Sequence, residues 1–193
     1  MQRDGARTLS RALLTLAVAG MLSAPARADD RSWRQATGGE ATQYAHRHFV
    51  EFRSRPSYVF GHTYIVYGRL ADRGNRRALN YAGIYPTAGR TGLALGSVVP
   101  VSASIRAVAG DYSQTPHNAF RVRLTSGQYG HLRRVVSRLR SQDRQWHLLF
   151  MNCNDFAIKV ARELGLQTPA SLLLPKLFIV QLQALNASAS SPR

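Results

Sequence analysis

Hydrophobic and polar residues alternate in the segment that follows residue 47, which is typical of β-strands. The alternation begins at His48 and stops at Arg55-Pro56, because proline has no backbone N–H to donate within a sheet. Residues 58–70 and 78–85 are rich in aromatic and β-branched side chains, and Asp72-Arg73-Gly74-Asn75 between them is typical of a turn. This pattern predicts one strand followed by a β-hairpin.

The pattern remains extended through the middle of the chain. Residues 87–96 are rich in glycine and are predicted to form a loop. Residues 98–108 are predicted to form a strand. In 119–124 apolar residues alternate with arginines, which predicts a half-exposed strand. A last short strand is predicted over 146–151.

Helical periodicity replaces alternation after residue 124. Thr125 and Gln128 have the spacing of a capping box. Apolar side chains then recur at the spacing of one buried helix face: Leu132, Val135, Val136 and Leu139. A second helix is predicted over 153–164, with Gly165 just beyond its end. Residues 172–185 are apolar but too few to span a bilayer, which favours docking on the core over contact with a membrane surface.

These elements predict an α+β fold in which helices pack on one face of an antiparallel sheet. Residues 1–28 are predicted to be a secretory signal, since basic residues precede a short apolar stretch and Ala26-Arg27-Ala28 has the pattern of a cleavage site. An uncleaved anchor is the alternative. We predict a loose lead over 29–47, a single domain over 48–186 and a flexible tail over 187–193. The expected location is exported, either periplasmic or secreted.

The composition is strongly basic, with 26 lysines and arginines against 10 acidic residues and a formal net charge of +16. Removal of residues 1–28 takes away four arginines and one aspartate and leaves about +13. A basic exported protein is attracted to anionic surfaces, so an anionic membrane surface is a candidate partner. Nucleic acid is not a predicted partner, because the chain has no zinc-finger spacing, helix-turn-helix signature or aromatic RNA-binding motif.

Cys153 is the only cysteine, which excludes an intramolecular disulfide. It lies in Asn152-Cys153-Asn154-Asp155-Phe156, where a predicted strand becomes a helix. The helix dipole favours a thiolate at this position, whereas Asp155 opposes it. Asn152 and Asn154 suit a helix start, and the backbone N–H groups of Cys153 and its neighbour are predicted to face an oxyanion. A buried, inert core cysteine would occupy the same helix face.

A nucleophilic cysteine needs a base, and the chain has six histidines. His62 leads narrowly, because it begins a strongly β-like segment and Gly61 beside it permits close backbone approach. His147 is interpreted as structural. His46 and His48 form a pair with no third ligand, so no metal site is predicted. The remaining two are predicted to lie in a solvated turn and at a helix start: His117 and His131.

The two motifs, Gly-His-Thr-Tyr on a strand and Asn-Cys-Asn-Asp-Phe at a helix start about ninety residues later, resemble those of the circularly permuted papain-like thiol enzymes. That superfamily includes lecithin–retinol acyltransferase-like proteins, PPPDE-type peptidases and permuted cell-wall peptidases. The resemblance implies Cys153 as nucleophile and His62 as base. It leaves the orienting residue open, because the second histidine of the acyltransferase branch is missing here: Asn80 and Tyr85 are the candidates, and a Cys–His pair without a third member is the alternative.

The activity implied by the resemblance is acyl transfer or hydrolysis at an amide, ester or thioester, with no metal or organic cofactor. Export and charge favour a cell-envelope substrate, which could be a peptide, a lipid or an acylated protein. A non-catalytic envelope protein on the same fold, binding an anionic surface through its arginines, is the second hypothesis. An unrelated α+β envelope protein with a buried cysteine is the third.

Overall fold

A computed structural model describes residues 47–70 and 76–187. The predicted signal over 1–28, nearly all of the predicted lead, the turn over 72–75 and the last six residues of the tail lie outside the described residues.

The described chain forms six strands and five helices, so the α+β prediction is confirmed at this level. The strands are β1 (His48–Arg55), β2 (His62–Leu70), β3 (Arg76–Pro86), β4 (Val101–Arg106), β5 (Asn118–Leu124) and β6 (Arg144–Trp146). The helices are α1 (Gly89–Leu95), α2 (Ala109–Ser113), α3 (Ser126–Arg140), α4 (Cys153–Glu163) and α5 (Pro175–Leu185).

All neighbouring strands are antiparallel, and their order in the sheet is β5-β1-β2-β3-β4-β6. β1 pairs with β2 along its whole length, from His48 opposite Arg69 to Arg55 opposite His62. β3 pairs with β2 only as far as Ala82 opposite Ile65. From Gly83 onward β3 pairs with β4 instead.

The main core lies between one face of the sheet and the three longest helices. Alternate side chains of β1 and β2, including Phe52 and Ile65, pack there against apolar residues of α3, α4 and α5. α3 begins at a capping box between Thr125 and Gln128, as the sequence predicts, and its buried stripe is the predicted one. Residues 172–185 dock on the core through three buried side chains of α5: Phe178, Ile179 and Leu182.

The opposite face of the sheet is also buried, but it is partly charged. Glu51 is 3% exposed and forms ion pairs with Arg53 at 2.5 Å and with Arg121 at 2.6 Å. The short helix α2 contacts this face, where its Tyr112 ring lies 4.4 Å from the ring of Tyr81. The predicted packing of helices on one face therefore describes α3, α4 and α5 but not α2.

Several predicted boundaries are wrong. The glycine-rich segment 87–96 contains α1 instead of a loop, because Leu93 packs against the main core. The strand predicted over 146–151 ends at Trp146, and His147 and Met151 pair across a turn. β2 begins at His62 instead of residue 58. Gly61, with φ +84°, ends a turn in which its N–H donates to the carbonyl oxygen of Ser57.

Candidate active site

The end of the β2–β3 ladder creates an opening in the sheet. Among the described residues, His62, Thr63 and Tyr64 pair with β1 and have no partner strand on their other side. The start of α4 approaches from the helix-covered face at this point. A cavity of about 1190 Å³ lies here, and both His62 and Cys153 line it.

Cys153 is half-buried at the first position of α4. The backbone N–H of Thr63 and the N–H groups of the first turn of α4 face its thiol. Burial raises the pKa of the Cys153 thiol, and these donors oppose the rise without cancelling it. The direction is opposite to the one expected from the helix dipole alone, because desolvation outweighs the dipole in this position.

The two asparagines hold the start of α4 in place. Asn152 is the N-cap residue, and its side-chain oxygen accepts hydrogen bonds from the N–H groups of Asn154 at 2.8 Å and Asp155 at 3.3 Å. Asp155 completes a capping box by accepting the N–H of Asn152 at 2.8 Å. The N–H of Asn154 is therefore shared with its cap, which leaves the N–H groups of Cys153 and Thr63 for an oxyanion.

Asn154 also ties α4 to β2. Its side-chain oxygen accepts a hydrogen bond from the Thr63 hydroxyl at 2.6 Å. Its side-chain nitrogen donates to the carbonyl oxygens of Ser171 at 2.9 Å and Leu173 at 2.7 Å. Asn154 is 2% exposed, so these bonds satisfy a buried amide and fix the thiol beside Thr63.

His62 projects to the opposite face of the sheet. Its ring lies 4.4 Å from the ring of Tyr85 and nearly parallel to that of Tyr64 at 6.2 Å. A Cβ atom on Gly83 would lie 2.8 Å from His62 Nε2, so only glycine leaves room for the imidazole there. Nε2 is buried and has no hydrogen-bond partner within the described part of the chain. Burial and the positive charge of Arg55 lower the pKa of His62 to about 3.

Tyr85 connects His62 to a buried ion pair. The Tyr85 hydroxyl donates to Asp111 at 2.6 Å, and Arg55 Nε donates to the same carboxylate at 2.9 Å. The N–H of Val108 adds a third hydrogen bond at 3.0 Å. Burial and the Asp111 carboxylate raise the pKa of Tyr85, which keeps its hydroxyl protonated as a donor.

The two candidate orienting residues have different positions. Tyr85 packs its ring against His62, so it restricts the imidazole by contact. Asn80 is exposed, donates to the carbonyl oxygen of Ala78 at 3.1 Å and does not line the cavity. The structure therefore brings Cys153, His62 and Tyr85 together around one cavity and leaves Asn80 outside it.

Of the other histidines in the described part of the chain, none lines this cavity. His147 is buried, accepts the N–H of Leu149 at 3.1 Å and stacks on Phe150, which is a structural arrangement. His48 stacks on Tyr129, and His131 contacts Glu163. His117 is exposed, and His46 lies outside the described residues.

Three residues that shape this site had no predicted role: Arg55, Thr63 and Asp111. One signal could have identified Asp111. The chain has 10 acidic residues for 26 basic ones, and this aspartate lies in an apolar segment, Ala107-Val108-Ala109-Gly110-Asp111. A scarce carboxylate in apolar surroundings is a candidate for a buried ion pair.

Within residues 47–70 and 76–187, no group of three or more histidine, cysteine, aspartate or glutamate side chains could hold a metal ion. Over the same residues, no helix has the length and apolar character needed to cross a membrane.

Comparison of the chain with models of protein families, with curated proteins and with solved structures finds no match.

Proposed function

We propose that the protein is an exported cysteine-dependent hydrolase or acyltransferase on a permuted papain-like fold. One observation carries the proposal. A thiol at a helix start and an imidazole with an unpartnered, buried nitrogen line the same cavity, although they come from opposite faces of the sheet. The order of His62 and Cys153 in the chain, and the packing of α4 on an antiparallel sheet, support the permuted arrangement.

In the proposed reaction, the Cys153 sulfur attacks the carbonyl carbon of an amide, ester or thioester. The thiol proton passes to His62, and the N–H groups of Cys153 and Thr63 stabilise the oxyanion. His62 returns the proton to the leaving group as the carbon–heteroatom bond breaks. Water or an acceptor amine then attacks the thioester, loses a proton and regenerates the thiol.

The resting pair is a neutral thiol and a neutral imidazole, since the pKa of Cys153 is raised and that of His62 is lowered to about 3. Separating charge between them before the attack is unfavourable, because burial favours the neutral form of both groups. Transfer of the thiol proton is therefore coupled to attack on the carbonyl instead of preceding it.

The neutral pair also favours a second candidate function. A non-catalytic envelope protein that binds an anionic surface through its arginines needs no ionised thiol. In that case Cys153 is a packing residue of α4, which is consistent with its contact with the main core.

Trapping of the acyl-enzyme tests the proposal. We incubate the protein with a p-nitrophenyl ester and measure the mass of the Cys153 peptide over time. The expected result is an acyl adduct on Cys153 that hydroxylamine removes, formed about a hundredfold more slowly in His62→Gln because a general base contributes at least this factor. Cys153→Ala is expected to lose the adduct and keep its fold, since alanine suits the helix position.

The matched control is His117→Gln, which removes an exposed histidine and is expected to form the adduct at the original rate. Absence of an adduct, or equal rates in His62→Gln and His117→Gln, would favour the binding function. Unfolding of Cys153→Ala would indicate that the thiol has a packing role.

A further inference from the structure

Six apolar side chains that line the Cys153 cavity are also at least half exposed: Tyr58, Val59, Phe60, Leu149, Leu172 and Leu174. We call these six residues the apolar rim. They belong to three connections that meet at one end of the sheet, between β1 and β2, between β6 and α4, and between α4 and α5. Exposed apolar groups gathered around a cavity are typical of a surface that binds a ligand.

The same cavity contains a guanidinium group with an unused donor. Arg106 lines the cavity, and its Nη1 is buried without a hydrogen-bond partner within the described part of the chain. Nη2 donates to the carbonyl oxygen of Pro86 at 3.2 Å, and the group lies 5.2 Å from the centre of the Tyr85 ring. A buried charged donor without an acceptor is costly, and an anion in the cavity would satisfy it.

The charge balance of the cavity indicates the sign of the ligand. Among the described residues, no carboxylate lines the cavity. Three arginines line it: Arg55, Arg90 and Arg106. Asp111 neutralises Arg55 at 2.9 Å. Arg90 is exposed and lies over the ring of Tyr58 at 5.6 Å. The positive charges of Arg90 and Arg106 therefore remain available to an anion.

We infer that the cavity binds an anionic amphiphile. Its carboxylate or phosphate accepts a hydrogen bond from Arg106, and its alkyl or acyl chain lies along the apolar rim. The inference rests on the proposed function in one respect: if Cys153 is the nucleophile, such a molecule is the class of substrate on which it acts. An acidic peptide is the competing occupant, but it has no continuous apolar chain that could cover the six exposed side chains of the apolar rim.

Calorimetric titration of the full chain with three small probes tests the inference. Decanoate has an anionic group and a long chain, butyrate has the anionic group alone, and decanol has the chain alone. All are used below the concentration at which they aggregate. We expect decanoate to bind at least about tenfold more tightly than either of the others, since a charge-assisted hydrogen bond and chain burial each contribute more than this factor.

Two variants separate the contributions. Arg106→Gln retains a polar side chain but removes the guanidinium and its charge, so it is expected to weaken decanoate binding about tenfold and leave decanol binding unchanged. Val59→Ser combined with Leu172→Ser removes two rim side chains that are 86% and 65% exposed. This double variant is expected to weaken decanoate and decanol alike by about tenfold.

The matched controls change residues that do not line the cavity. Arg123→Gln removes an exposed arginine of β5, and Leu79→Ser combined with Leu185→Ser removes two exposed leucines. Both are expected to bind decanoate as the original chain does, and because every variant retains residues 1–46, any binding to that segment is common to all. The inference would be overturned if decanoate and butyrate bound with equal affinity, or if Arg106→Gln bound decanoate as tightly as the original chain. It would also be overturned if the control variants lost as much affinity as the cavity variants.

Cys153→Ser distinguishes this inference from the proposed function. It is expected to lose the acyl adduct while binding decanoate with unchanged affinity. Decanoate binding without any acyl adduct in the original chain would contradict the enzyme proposal alone. An acyl adduct without decanoate binding would contradict the amphiphile site alone.

Discussion

The two faces of the sheet are both buried, but they are stabilised in different ways. On the helix-covered face, β1 contributes Val50 and Phe52 to a continuous apolar core. On the opposite face, the same strand contributes Glu51, Arg53 and Arg55, each less than 10% exposed. Apolar burial stabilises the first face, whereas ion pairs and hydrogen bonds must offset the desolvation of charge on the second.

This difference places the two candidate catalytic groups in separate environments. Cys153 is held by the first turn of α4 and by Thr63, whose side chain faces the helices. His62 is held on the opposite face, between Tyr85 and a buried arginine. The opening between β2 and β3 lets both line one cavity. Each group can therefore be perturbed through its own face without direct damage to the other.

The largest expected effect comes from Asp111 on the charged face. Asp111→Ala leaves Arg55, which is 5% exposed, without its carboxylate partner. We expect a loss of about 3–5 kcal/mol in the free energy of unfolding, measured by urea denaturation, because the uncompensated charge stays buried. Asp143→Ala is the control, since it makes the same substitution at an exposed aspartate and is expected to change stability by less than about 0.5 kcal/mol. Similar losses in the two variants would contradict the contrast between the faces.

The next effect is acid destabilisation through His62. Its folded pKa of about 3 lies below the value of 6.5 of the unfolded chain. The unfolded chain therefore takes up a proton that the folded protein excludes, so stability is full above pH 6.5 and falls as the pH drops toward 3. We expect this group to remove about 3 kcal/mol between pH 7 and pH 4.

Urea denaturation at both pH values, compared with His62→Gln, measures this contribution. The variant is expected to lose about 3 kcal/mol less than the original chain over the same interval. His117→Gln, which changes an exposed histidine, is expected to follow the original chain. An imidazole of His62 that titrates near 6.5 by NMR would show that its environment is polar instead of buried.

The smallest expected effect is on the helix-covered side. Thr63→Val keeps the side-chain shape but removes the hydroxyl that donates to Asn154 at 2.6 Å. We expect a loss of about 1–2 kcal/mol in the free energy of unfolding, because the buried Asn154 oxygen loses its donor. Alkylation of Cys153 is also expected to slow, since the Thr63 N–H, which lowers the thiol pKa, is no longer tied to the start of α4 through Asn154.

Thr87→Val is the matched control for this substitution. The Thr87 hydroxyl donates to the carbonyl oxygen of Ser102 at an exposed position, so its loss is expected to change stability by less than about 0.5 kcal/mol. An unchanged alkylation rate in Thr63→Val would exclude Thr63 from the thiol environment.

Prediction from the sequence succeeded where local signals agree with the tertiary structure. The capping box at Thr125 and the apolar stripe of α3 are both determined by residues three or four positions apart. Prediction failed at α1, where Leu93 makes a helix of a glycine-rich segment by packing on the core. The short helix α2 was also not predicted, because it is held by a contact between residues distant in the chain, Asp111 and Arg55, instead of by a local sequence signal.

The sequence by itself determined the order of the six strands and the three long helices, the helix start at Cys153 and the candidacy of His62, because these depend on periodicity, capping and residue type. Only the tertiary structure decided that β1 is buried on both faces, that Asn80 lies outside the cavity, and that burial raises the pKa of Cys153 and lowers that of His62. The physical reason is that desolvation and ion pairing depend on groups brought together from distant parts of the chain, as Arg55 and Asp111 are.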